Sequence, residues 1–150
     1  MNPEIWGPHA WVLLHTISMN YPNHPTQQDK QHFRTFFTSL QHCLPCDACS
    51  NHYRENLQRY PLTDEVMSSR TNLVFWLIKI HNTVNVMNGK PIVSNQKAVQ
   101  LYYDMYRPKT FFDHLVKHID VVLIFIILVI ICLIEKNRIM SAVCSRSCAT

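Results

Sequence analysis

Thr71-Asn72-Leu73-Val74-Phe75-Trp76-Leu77-Ile78-Lys79-Ile80-His81-Asn82-Thr83-Val84-Asn85-Val86-Met87 decides the fold. Leu73, Leu77, Ile80, Val84 and Met87 step by four, three, four and three, which is one face of an α-helix. A helix is expected over about 71–87, ended by Asn88-Gly89 as a C-cap. Inside this apolar helix lies a polar stripe. His81 and Asn85 share a face with Ile78, and Asn82 stands beside them. Buried polar groups are costly unless they bind something. One His clustered with two Asn reads as a ligand stripe rather than a histidine satisfied by its core neighbours.

Working outward, the other elements are also helical. Pro8 suits the first turn of a helix running to about Asn20. Thr26 can cap a second, whose Phe33, Phe36, Phe37 and Leu40 fall at i, i+3, i+4, i+7. A third is expected from about Cys46 to Arg59, between Pro45 and Pro61. Ser94 can cap a fifth, carrying Val99, Tyr102, Tyr103 and Tyr106. Only two glycines occur in 150 residues, which argues against a turn-rich β fold. Short loops between amphipathic helices indicate an all-α protein: a four-helix bundle plus a short fifth helix. The net charge of +4 is spread out with no Lys/Arg block, so nucleic-acid binding has little support.

Leu44-Pro45-Cys46-Asp47-Ala48-Cys49-Ser50-Asn51-His52 carries chemistry. It sets two thiols one helical turn apart at a helix start. The partial positive charge there stabilises a thiolate and can bring its pKa from about 8.5 into the range of roughly 3.5–7.5. Cys46 is expected to be the more exposed and to exchange with a substrate thiol, while Cys49 faces inward. The competing reading is a zinc site made of Cys43, Cys46, Cys49 and His52. Four ligands within ten residues are awkward for a tetrahedral shell, and zinc cysteines usually come as two separated knuckles. A thioredoxin-like fold would need strands that this chain lacks. The dithiol's electrons therefore need a bound acceptor. On the first helix, Trp11 and His15 stand four apart and Tyr21 follows, an aromatic stripe interrupted by a polar ring, which invites a flat hydrogen-bonding ligand.

No secretory signal is visible at the N-terminus. Towards the other end, residues 119–134 form a run of 16 residues, about 24 Å of helix, nearly all of them apolar. Leu115 and Val116 could extend it while Lys117 and His118 snorkel. A helix apolar all round is buried or in lipid, so a C-terminal transmembrane helix at 119–134 is expected, acting as a tail anchor. A linker over 109–118 precedes it, and a short tail over 135–150 follows.

Trp6-Gly7, Leu14-His15-Thr16, Tyr21-Pro22 and Gly89-Lys90-Pro91, taken together with the residues quoted above, resemble the ERV/ALR family of FAD-linked sulfhydryl oxidases. The match runs through Trp6-Gly7, Trp11, Leu14-His15-Thr16, Tyr21-Pro22, Pro45-Cys46-Asp47-Ala48-Cys49 with His52, Trp76, His81-Asn82-Thr83-Val84-Asn85 and Gly89-Lys90-Pro91. It looks most like the compact forms of large cytoplasmic DNA viruses. The resemblance implies that residues 1–108 form a sulfhydryl oxidase domain, a helical bundle holding FAD without a Rossmann fold. Trp6, Gly7, Trp11, His15, Tyr21, His52, His81, Asn82, Val84, Asn85, Lys90 and Tyr102 would contact the cofactor, with Lys90 suited to its pyrophosphate. Cys49 would lie against the flavin, and Cys46 would be the interchange thiol. It further implies protein thiol substrates or a thioredoxin-like carrier, dioxygen as acceptor with hydrogen peroxide as product, and a homodimer. Three departures stand out. Pro8 stands where the family often has Arg or Lys, Tyr102 where it has Trp, and no cysteine lies between Cys49 and Cys132, so packing must hold the fifth helix in place of a disulfide.

Two other classes compete: a non-enzymatic metal-binding membrane adaptor using Cys43, Cys46, Cys49 and His52, and an electron-transfer module reacting poorly with oxygen. Cys43 reads as a spare thiol and Cys132 as part of the apolar run. Cys144 and Cys148 read as tail thiols, acylation sites or, by the resemblance, a shuttle pair. The catalytic domain is expected on the cytosolic side of a host-cell or virion membrane.

Overall fold

The computed structural model describes residues 1–147, without the side chains of 114, 115 and 139–147; the side chain of Cys144 and the whole of Cys148, the expected tail pair, lie outside what is described. Every regular element among the described residues is helical. The chain forms two compact units, Met1–Tyr106 and Arg107–Thr150.

In the first unit, α1 spans Pro3–Met19. It begins at Pro3 rather than at Pro8 because Asn2 caps it, accepting the Glu4 N–H at 2.9 Å. Pro3 takes a position where the missing N–H costs nothing. Pro8 therefore sits inside the helix, where it forfeits one backbone bond. Helix α2 (Gln27–Cys43) starts in a capping box: the Thr26 N–H donates to Asp29 Oδ2 at 2.8 Å, and the Asp29 N–H to Thr26 Oγ1 at 3.1 Å. Helix α3 spans Asp47–Arg59 with Cys46 as its N-cap. After a 3-10 turn at Val66–Ser68, which no sequence signal marked, Ser69 caps α4 (Arg70–Met87).

A Schellman turn closes α4. The Lys90 N–H reaches the Asn85 carbonyl at 2.8 Å and the Gly89 N–H that of Val86 at 3.1 Å. Gly89 has φ +66°, a left-handed conformation that favours glycine. Helix α5 spans Asn95–Tyr106.

Helix α1 packs on α4, α2 on α3, and α5 on both α1 and α4. The core joins Leu14, Tyr21, Phe37, Met67, Leu77 and Ile80 with Trp76 and Tyr53. Three aromatics of this core spend their donors on backbone carbonyls: Tyr21 on Met67 at 2.8 Å, Tyr53 on Phe37 at 2.9 Å and Trp76 on Tyr60 at 2.8 Å.

The second unit holds α6 (Phe111–Lys117), within the segment expected as a linker, and α7 (Ile119–Ser147). Thr110 and Asp113 form the cap of α6. Hydrogen bonds from Arg107 and then Thr110 hold the Asp113 carboxyl well below the usual carboxylate range. Helix α7 runs unbroken through position 134 into the segment expected as a tail. Among the described residues no helix is long and apolar enough to cross a membrane. The uninterrupted apolar run, 121–134, is 14 residues bounded by Asp120 and Glu135, which leaves the transmembrane helix expected at 119–134 without support from the fold.

Phe37 is fully buried and meets Trp76 edge-on at 5.5 Å. Phe37→Ala should cost about 3–5 kcal/mol, read as a lowered urea midpoint at unchanged slope; a loss below about 1 kcal/mol would mean the core does not depend on this ring.

Candidate active site

The site is built where α1, the start of α3 and the second half of α4 converge. Cys46 and Cys49 are joined as a disulfide, with Cα atoms 5.2 Å apart. Pro45 precedes an extended Cys46 whose Sγ accepts the Cys49 N–H at 3.3 Å, so the sulfur itself caps α3. Both cysteines are half-buried. They border a cleft of about 360 Å³ whose walls include Trp6, Gly7, Trp11, His52 and Val84. Small Ala10 and Ala48 leave the space open, and Leu40 and Leu44 close it from α2 and its C-cap.

A second cavity of about 230 Å³ is bordered by His15, His81, Asn82, Asn85 and Tyr102. Between the two lies a ring stack: Trp11 lies on His81 with centroids 3.9 Å apart and planes within 5°. His15 Nε2 and His81 Nδ1 are 3.1 Å apart, and Tyr102 stacks on His15 at 4.6 Å. His15 is 1 % exposed, and its Nδ1 has no hydrogen-bond partner. Burial, and secondarily His81, brings the His15 pKa down to about 3. Burial, and secondarily Lys90, brings His81 down to about 4. Both imidazoles are therefore neutral at physiological pH.

The structure brings together most of the expected site residues. Trp6, Gly7, Trp11, Cys46, Cys49, His52 and Val84 share the first cleft; His15, His81, Asn82, Asn85 and Tyr102 share the second cavity. Two stand apart. Tyr21 is fully buried in the core with its hydroxyl committed to Met67, so it borders neither cavity. Lys90 is exposed beyond the end of α4 and borders neither. Sequence reading missed Met87 and Asn88, which border the first cleft at the end of α4, and Leu101 and Met105, which border the second from α5. Leu101 and Met105 stand one turn apart on α5 beside Tyr102, a spacing that could have revealed them.

Two features fit a flat ligand with polar edges. Trp6, Trp11 and Tyr102 supply aromatic walls, and two buried polar atoms, Trp6 Nε1 and His15 Nδ1, wait without partners. Because Cys46 and Cys49 are bonded to each other, neither offers a thiolate to a metal. Among the described residues, no group of three or more His, Cys, Asp or Glu could hold a metal ion.

An all-helical bundle with a Cys-x-x-Cys disulfide at a helix start, bordering an aromatic-walled cleft, is the architecture of a helical redox protein. The sequence profile of the Erv1/Alr family matches residues 8–104, and the chain belongs to that family. It is 44% identical over 109 residues to a probable FAD-linked sulfhydryl oxidase of Acanthamoeba polyphaga mimivirus, covering 73% of this chain and 76% of that protein. It is 33% identical over 102 residues to a putative FAD-linked sulfhydryl oxidase of Invertebrate iridescent virus 6, covering 65% of this chain and 92% of that one. The fold is similar to the crystal structure of the FAD-binding domain of Erv1 from Saccharomyces cerevisiae, with a TM-score of 0.65 at 27% identity, over 71% of this chain and 99% of that chain.

The buried histidine pair predicts an acid limit. An unfolded histidine takes up its proton near pH 6.5, whereas His15 and His81 wait until about 3 and about 4 in the fold. The unfolded chain thus binds more protons across that interval, so stability falls as pH drops from about 6.5 towards 4. Urea unfolding midpoints at stepped pH should show this slope, and His15→Gln should flatten it. An unchanged slope would mean His15 titrates normally.

Proposed function

We propose that this chain is an FAD-dependent thiol oxidase that forms disulfide bonds in protein substrates. What carries the reading is the Cys46–Cys49 disulfide set against an aromatic cleft that holds buried, unpartnered polar atoms. Trp6, Gly7, Trp11, His52 and Val84 would hold the cofactor beside Cys49, and His15, His81, Asn85 and Tyr102 would hold it in the second cavity. Bound FAD would accept the dithiol's electron pair and deliver it to dioxygen, yielding hydrogen peroxide.

The protein's own part is thiol–disulfide exchange. A substrate thiolate attacks Cys46 Sγ, the Cys46–Cys49 bond breaks, and Cys49 leaves as a thiolate. A second substrate thiolate attacks the substrate sulfur of the mixed disulfide. The substrate leaves with its own disulfide, and Cys46 is released as a thiolate. The chain has then gained two electrons and the substrate has lost two. The N–H groups at the start of α3 face this charge, with the Cys49 N–H already on Cys46 Sγ. The neutral His15 and His81 add no cation to the second cavity.

The reading extends to a homodimer, to a thioredoxin-like carrier among the thiol donors and to a membrane tether. The tether would be the 121–134 run of α7, about 21 Å of helix at 1.5 Å per residue. That is short of a bilayer core of about 30 Å, so Lys117, Lys136 and Arg138 would snorkel over locally thinned lipid. The Met1–Tyr106 unit would then face the cytosol, at a host-cell or virion membrane.

Cys46→Ser and Cys49→Ser should each abolish oxygen consumption driven by dithiothreitol while the protein stays yellow; full activity in either variant would refute the assignment. For the tether, the full chain should resist carbonate extraction from membranes and a chain ending at residue 118 should not. Equal release of both would remove the anchor.

A further inference from the structure

Asn82 belongs to the expected cofactor-contact set, yet its side chain is engaged elsewhere. Asn82 Nδ2 donates to the Val93 carbonyl at 2.8 Å, and Asn82 Oδ1 accepts the Val93 N–H at 2.9 Å. One amide thus reads both polar groups of one residue, as a residue on a facing antiparallel strand would. A third, longer side-chain hydrogen bond has Asn85 Nδ2 donating to Asn82 Oδ1 at 3.5 Å.

Val93 lies one residue before Ser94, which caps α5 by accepting the Lys97 N–H at 3.3 Å. The clamp therefore fixes where α5 begins. Ala98, one turn on, packs with Val74 and Ile78 of α4. Tyr102, a further turn on, stacks on His15 at 4.6 Å. At the far end, Tyr106 Oη and Thr16 Oγ1 are 2.6 Å apart. Helix α5 is held at its two ends by side-chain hydrogen bonds and in between by packing, with no disulfide on it. Of the two end contacts, only the Asn82 clamp comes from the stripe that borders the second cavity.

We propose that Asn82 is a positioning residue: its two hydrogen bonds to Val93 set the register of α5 on α4 and so hold Tyr102 against His15 as a wall of the cofactor cavity. The proposal rests on the reading of that cavity as an FAD site. Asn82 supplies geometry, whereas Asn85 and His81 keep polar groups for the ligand.

The test uses the full-length protein, stripped of flavin and reconstituted with FAD. Asn82→Asp keeps the size, loses the donor and sets a carboxylate against the Val93 carbonyl; Asn82→Ala removes both bonds without adding charge. Each should weaken FAD binding about tenfold, and hydrogen exchange should speed up across 93–106 but not in α2 or α3. Circular dichroism checks that each variant is folded. If Asn82 acts through Tyr102, Tyr102→Ala alone and combined with Asn82→Ala should give the same FAD affinity and the same bound-flavin spectrum. Additive losses in the double variant, or weakened FAD with unchanged exchange across 93–106, would make Asn82 a direct contact and overturn the proposal. A wild-type chain that takes up no FAD would instead overturn the underlying reading, and this is seen before any variant is made.

Discussion

The seam between α1 and α4 constrains everything else. Along it Trp11 stacks on half-buried His81, and His81 meets fully buried His15 at 3.1 Å. Two imidazoles this close in a poorly hydrated place cannot both be charged, and burial keeps both neutral. A seam so polar contributes less to stability than an apolar one would. Its position between two cavities gives it another use, as a partition with a hydrogen-bonding edge.

The dithiol depends on the seam only indirectly. Cys46 and Cys49 ride on the first turn of α3, which is held by α2 through Tyr53 and Phe37. Helix α2 in turn borders the cleft through Leu40. The disulfide is therefore presented by one helix pair and the aromatic walls by another. Exchange at Cys46 needs little movement of either pair, because the sulfur already lies at the end of a helix rather than within one. The cost of ordering the site is met during folding, and the chemistry inherits a fixed geometry.

Much of this was legible in the sequence because it rests on local rules. The stepping of Leu73 to Met87, the Thr26 and Ser94 caps and the Asn88-Gly89 stop each act within a turn or two, and the helices lie where those signals put them. Pro8 misled because proline usually marks a helix start. Here Asn2 and Pro3 had already started α1, and a single lost bond inside a long helix is tolerable. Tyr21 lies apart from both cavities for a reason local rules do not carry: its hydroxyl finds a partner 46 residues away on Met67, a pairing that only the tertiary fold creates. Asn82 is similar. Its residue type and spacing match those of a ligand contact, and only the return of the chain at Val93 shows where its amide is spent. The 121–134 run is plain in the sequence, but Asp120 and Glu135 at its borders weigh against reading it as a complete span.

Electron flow through the Cys46–Cys49 bridge is the central claim, and anaerobic titration of the reconstituted protein with dithiothreitol tests it most directly. If the bridge lies between substrate and FAD, each added dithiol first opens the disulfide and then bleaches the flavin's visible bands, and readmitted oxygen restores them with release of peroxide. Bands that persist under excess dithiol while the disulfide is already reduced would show that the two groups do not communicate, and the claim would fail.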